Sequence, residues 1–322
     1  GCRNVAVGVG SLGTNTTAIN NAAIGYGALF TNTTGACNVA MGSCALNKNT
    51  TAANNTAVGS FALEQNTTGI TNVAVGKLAL NRNTTGQQNT SMGASSLEAN
   101  TTGSRNSTAG TSSLATNISG NDNTAFGHAA LGANTTASNN TAVGRASMQA
   151  NTTGANNVAV GMQSLNANTT GFQNVAVGSL ALITNTTGQE NTAVGYKALT
   201  SATTSCGNVA VGMCSLHNHT TGGDNNAIGM CSQFTTSTGA ANNSMGHKSM
   251  ENNTTGDSNV AIGEQALRMN TTGGDNTAVG KEALCANTTA TENTAIGFKA
   301  LKANTTGCQN TAMGFQAGTS NI

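Results

Sequence analysis

The residues of this chain that could do chemistry are eight cysteines, four histidines and a long series of Asn-x-Thr/Ser triplets. Cys2, Cys37, Cys44, Cys206, Cys214, Cys231, Cys285 and Cys308 show no zinc-type clustering. Cys214 and Cys231 stand 17 apart. On a repeat of that length they stack on neighbouring coils, about 4.8 Å apart, within reach of a disulfide. A stacked disulfide and a pair of half-buried thiols are both open readings. His217-Asn218-His219 is the one closely spaced histidine pair. It lacks the further ligands a metal needs and is read as surface variation. No nucleophile with its base, carboxylate pair or phosphate loop recurs, so neither an enzyme nor a cofactor is expected.

The triplets are formally N-glycosylation sequons. They stand at Asn15, Asn32, Asn49, Asn66, Asn83, Asn100, Asn117, Asn134, Asn151, Asn168, Asn185, Asn253, Asn270, Asn287 and Asn304, with others off this register, such as Asn54 and Asn218. One reading is a glycan-coated fibre; the other is that Asn and Thr are there to stack. The first would crowd sugars at about 4.8 Å spacing. Regular Thr columns also suggest ice binding. However, adjacent residues such as Thr16-Thr17 would point to opposite faces and leave one exposed column.

These residues are positioned by a repeat. "NTAVGYKAL" at 191–199 returns as "NTAVGKEAL" at 276–284 and "NTAIGFKAL" at 293–301. The glycine of each triplet recurs every 17 residues from Gly8 to Gly314, 19 times without insertion or deletion. The unit reads N-x-A-V-G-x-x-A-L-x-x-N-T-T-G-x-x. Its first Asn never varies: Asn4, Asn21, Asn38, Asn55, Asn72, Asn89, Asn106, Asn123, Asn140, Asn157, Asn174, Asn191, Asn208, Asn225, Asn242, Asn259, Asn276, Asn293 and Asn310. Stacked amides at a corner can donate to one neighbour and accept from the other, so this column is expected to form a structural ladder. The 12 basic and 11 acidic residues all fall one, two, five, six, eleven or twelve places after a marker glycine. The other positions never carry charge, as expected if they face a core or a neighbouring copy.

Seventeen residues are too few for a helix pair. The segments are short, β-branched and bounded by Asn and Gly. The expectation is an all-β parallel β-solenoid, a β-roll of about 19 coils forming one repeat domain over 1–322, an elongated rod of roughly 90 Å. Three short strands per coil are expected, ending at the glycine, around A-L and at N-T-T. Val/Ile and Leu columns would fill the interior. The least regular coils run from Gly195 to Gly246, where Ala202, His219 and Thr236 replace the second Asn. A ligand site would be sought there first, with drift as the plainer explanation.

Net charge is +1 and only 7% of residues are charged, which gives no electrostatic case for nucleic acid. No apolar run approaches a membrane span. "NVAVG" and "NTAIG" resemble the N-S-V-A-I-G motif of trimeric autotransporter adhesin heads, which are parallel β-rolls. The longer unit with N-T-T-G is similar to repeats of phage tail-fibre-like proteins. The resemblance implies an extracellular fibrous or adhesive protein on a cell or virion surface, with itself, a surface glycan or a receptor as partner. Adhesin-head coils are shorter and lack N-T-T-G, so one or three chains per rod, and the handedness, stay open. Cys2 of a following copy would fall 17 residues beyond Cys308, so head-to-tail stacking with a Cys2–Cys308 contact is expected. The expected function is a structural subunit of an extracellular filament. The alternative is a binding protein: a tail-fibre shaft or receptor-binding segment, or a glycan- or ice-binding solenoid.

Overall fold

A computed structural model describes residues 1–320. Asn321 and Ile322, the last letters of the weakened Q-A-G-T-S-N-I finish, lie outside the described residues. The chain is an all-β parallel solenoid with one three-residue strand per 17-residue coil and no helix among the described residues. It divides into two compact units, Gly1–Asn157 and Val158–Ile322. The division meets no irregularity in the repeat spacing. A fold whose coils touch only their neighbours offers many equivalent places to divide. The first unit carries β1 (Val5–Val7) to β9 (Thr141–Val143), the second β10 (Val158–Val160) to β19 (Thr311–Met313). Within each unit the strands pair in parallel at a step of 17, as in Val73↔Thr90 and Thr277↔Thr294.

The expectation of three strands per coil is corrected to one. The A-L segment is a run of turns and N-T-T a bend. The backbone leaves the extended region around A-L, where Phe61 has φ 59° and Leu63 φ 52°, and again at Thr71 before the next corner Asn (φ 58°). Left-handed non-glycine residues are uncommon because Cβ crowds the backbone. Here they recur because each turn is tied at two levels. Ala62 N–H closes a turn on Gly59 O within the coil (3.3 Å). Phe61 N–H donates to Ser43 O of the preceding coil (2.9 Å), and Leu63 N–H to Ala79 O of the next (3.0 Å). Backbone polar groups are thus paired between coils without extended strands.

The core also differs from expectation. The residue before each marker glycine was assigned to the interior, yet Ile24, Met41, Val75 and Met92 are exposed, as are Val160 and Met245. Side chains alternate along a strand, so the smaller Ala between two outward residues points inward. Ala23, Ala57, Ala74, Ala210 and Ala278 are fully buried with the Leu column. In the second unit, Met250, Leu267, Leu284 and Leu301 form a continuous apolar cluster with the strand alanines Ala261, Ala278 and Ala295.

Candidate functional site

Both asparagine columns are interior, and they act differently. In the first, Asn72 Nδ2 donates across the coil to Gly86 O (2.9 Å). Its Oδ1 accepts from the backbone N–H of Asn89 (3.0 Å). The amide satisfies backbone groups that the corner would otherwise leave bare. In the second column the amides bond directly to one another. Asn66 donates to Asn49 (2.9 Å), Asn83 to Asn66 (2.9 Å) and Asn100 to Asn83 (2.9 Å), while each also donates to the carbonyl three residues on.

This arrangement corrects the glycosylation reading. Asn32, Asn49, Asn66, Asn83, Asn100, Asn117, Asn134, Asn151, Asn168, Asn185, Asn253, Asn270, Asn287 and Asn304 are all fully buried. Both Nδ2 hydrogens of Asn66 are already donated. A glycosidic bond would replace one of them and would have to pass through the packed coil. Only Asn15, on the first coil, is half-buried, whereas the off-register Asn54 and Asn218 are exposed.

The irregular stretch of the second unit interrupts the second column. Ala202 offers no donor, and Asn185 Oδ1 is left buried without a partner. Ser205 Oγ, His219 Nδ1 and Thr236 Oγ1 are likewise buried and unpartnered. The histidine pair was read as surface variation, and this too is corrected. His219 is fully buried in the Asn position, its Nε2 bonded to Gly222 O (2.5 Å). His217 stacks on Phe234 with ring centroids 4.9 Å apart. The neighbouring core exception is compensated on one side only: Gln233 replaces Leu, and its Nε2 donates to Ser244 Oγ (2.9 Å), a hydroxyl in place of Ala, while its Oε1 is buried without a partner.

Burial lowers the His219 pKa below its ordinary 6.5, the Gly222 bond opposing this in part. The folded chain therefore holds His219 neutral while the unfolded chain binds a proton. Stability is full above about pH 6.5 and is lost as pH falls from there toward the depressed folded value. His219→Asn is expected to remove that loss and to raise stability by about 1–2 kcal/mol at pH 5.5, relieving the unpartnered Nδ1. Urea melts of both proteins at pH 5.5 and 8 check this. Equal pH dependence in the two would contradict it.

Charged side chains pair on the outside, between coils and, for Lys248 with Glu251, within one. Arg105 Nε and Nη2 grip both oxygens of Asp122 (2.7 and 2.9 Å). Glu251 receives Arg268 (2.7 Å) and Lys248 (3.2 Å). Partial burial pushes Glu251 upward, but these two cations hold it below the ordinary carboxylate value. All eight cysteines are free thiols. Cys214 and Cys231 are half-buried, and burial followed by the nearness of Cys214 raises the Cys231 pKa. Cys2 and Cys308 are exposed. No group of three or more His, Cys, Asp or Glu side chains able to hold a metal occurs among the described residues.

A recess of about 380 Å³ lies on the turns of the first unit, lined by Val9, Gly10, Tyr26, Gly27, Phe30 and Asn47. Tyr26 and Phe30 are 66% and 40% exposed. The Phe30 ring lies against Gly10 and Gly13; a Cβ at those positions would stand 3.4 and 2.6 Å from it. Asn47 Nδ2 donates to Gly27 O (2.8 Å). The repeat pattern hid this site, because no consensus position marks it. The available signal was glycine at two non-marker positions in the first coils.

No family model matches the chain, and no curated protein matches it.

Proposed function

We propose that the chain is a structural element of an extracellular fibre, with the solenoid as its shaft. One observation carries this reading: what stays constant from coil to coil is the coil-to-coil contact itself. The corner glycines, both asparagine columns and the buried alanines serve stacking, whereas exposed positions vary freely in charge and size. Placement outside the cell is supported by the likeness of "NVAVG" to adhesin heads. The partner in this reading is another copy of the chain, stacked by the same bonds, with the exposed Cys2 and Cys308 thiols as a covalent link.

Negative-stain images of the purified chain at rising concentration test the reading. Filaments longer than one chain are expected. Particles of constant size at every concentration would overturn it. On non-reducing gels, a ladder that disappears in Cys2→Ser supports the thiol link, and a ladder that survives removes it.

A further inference from the structure

We propose that the recess over the first three coils binds one ring of a neutral sugar. This proposal does not depend on the fibre reading and stands if that reading fails.

The recess is built by substitutions the backbone does not require. Gly10 and Gly27 occupy the second place after a marker glycine, with φ of 72° and 60°. The same place holds Cys44 (φ 56°), Phe61 (φ 59°) and Leu78 (φ 60°) in later coils. A side chain is thus compatible with this backbone, and the glycines serve to leave space. The space is floored by two rings. Tyr26 supplies a phenol, and the Phe30 ring lies against Gly10 and Gly13, where a Cβ would stand 3.4 and 2.6 Å from it.

The lining selects the ligand class. It contains no charged side chain, so neither an anion nor a cation gains a partner. A purely apolar ligand would strand the polar groups beside it. Asn47 keeps Oδ1 and one N–H beyond its bond to Gly27, and Tyr26 keeps its hydroxyl. A pyranose matches both halves. Its axial C–H face rests on aromatic rings, whose faces carry partial negative charge, and its equatorial hydroxyls reach amide and phenol. The volume is at the small end of ligand sites, which suits one ring or two.

The chain has two tyrosines and no tryptophan, so Tyr196→Phe leaves Tyr26 as its only strong fluorophore. This protein would be titrated with methyl β-D-glucopyranoside, methyl β-D-galactopyranoside, methyl α-D-mannopyranoside and cyclohexanol. A saturable change with at least one glycoside is expected, with a dissociation constant on the order of 1 mM. Gly27→Leu, whose backbone precedent is Leu78, should fill the recess and weaken that binding at least about tenfold while leaving the circular dichroism spectrum unchanged. Asn47→Ala should weaken it comparably and provides a second variant should Gly27→Leu not fold. Three results would overturn the proposal: no saturation with any glycoside, unchanged affinity in the variants, or cyclohexanol binding as tightly as the sugars.

Discussion

Gly76→Ala is expected to cost about 3–5 kcal/mol and to open the coils around it. Gly76 has φ 135°, a conformation that side chains rarely adopt. A Cβ there would stand 2.6 Å from Gly93 O and 2.7 Å from Gly93 C, both backbone atoms of the next coil. The Gly93 carbonyl accepts the Ser96 N–H that closes the turn of its own coil (3.3 Å) and cannot yield without disturbing that turn. Backbone strain and steric overlap each contribute about 1–3 kcal/mol. The comparison is Gly86→Ala. A Cβ there would also meet the next coil, 2.3 Å from Gly103 O, but that glycine lacks positive φ, and Ala52 and Ala137 occupy the same place in other coils, so relaxation to their arrangement should keep the cost well below that of Gly76→Ala. Hydrogen exchange of the amides in β5 (Val73–Val75) and β6 (Thr90–Met92) separates the two. Lost protection is expected in the first variant and near-native protection in the second. Equal effects would mean that the marker glycine is a passive turn residue.

The period and the class of fold were legible in the sequence because a solenoid repeats its environment. Any position facing a neighbouring coil meets the same neighbour each time, so its residue type hardly varies. The path of the chain within a coil was less legible. Leu63 and Thr71 are β-branched or apolar residues that favour extended or helical backbone, and nothing in their types announces a left-handed turn. Their conformation is imposed by bonds to coils above and below, which local propensity does not see. The expectation that a Val/Ile column would fill the interior failed for a related reason. Size alone puts Val inside, but a narrow coil selects the smaller residue for its interior. The sequons left two readings open because Asn-Thr-Thr carries the same letters whether the amide faces a sugar or another amide; the burial of Asn66 favours the second. Gln233 and Ser244 were visible as separate exceptions, and the bond between them required the register.

The first asparagine column supports a second large effect. Asn72→Ala should destabilise by about 3–5 kcal/mol, because three partners lose their bonds together. The backbone N–H of Asn89 loses its acceptor, Asn89 Nδ2 loses a second contact (3.1 Å), and Gly86 O loses one of its two donors, keeping Asn83 Nδ2 (2.9 Å). The buried N–H left bare costs about 1–3 kcal/mol, and each other lost bond about 0.5–1.5 kcal/mol. Asn72→Asp tests the cause, since it keeps the shape and the acceptor oxygen but removes the donor at neutral pH. A buried carboxylate facing Gly86 O should have a raised pKa, because burial and the lone pairs of the carbonyl both disfavour the charge. Protonated, it can donate to Gly86 O as the amide did. A folded-state pKa above the unfolded value of about 3.9 means that stability is retained at low pH and lost as pH rises through the folded pKa. The Asp variant should therefore approach the native protein near pH 4 and fall well below it at pH 7, while the Ala variant stays low at both. Measured urea midpoints that are equally low for both variants at pH 4 would show that the column contributes shape, and that its hydrogen bonds do not hold the coils together.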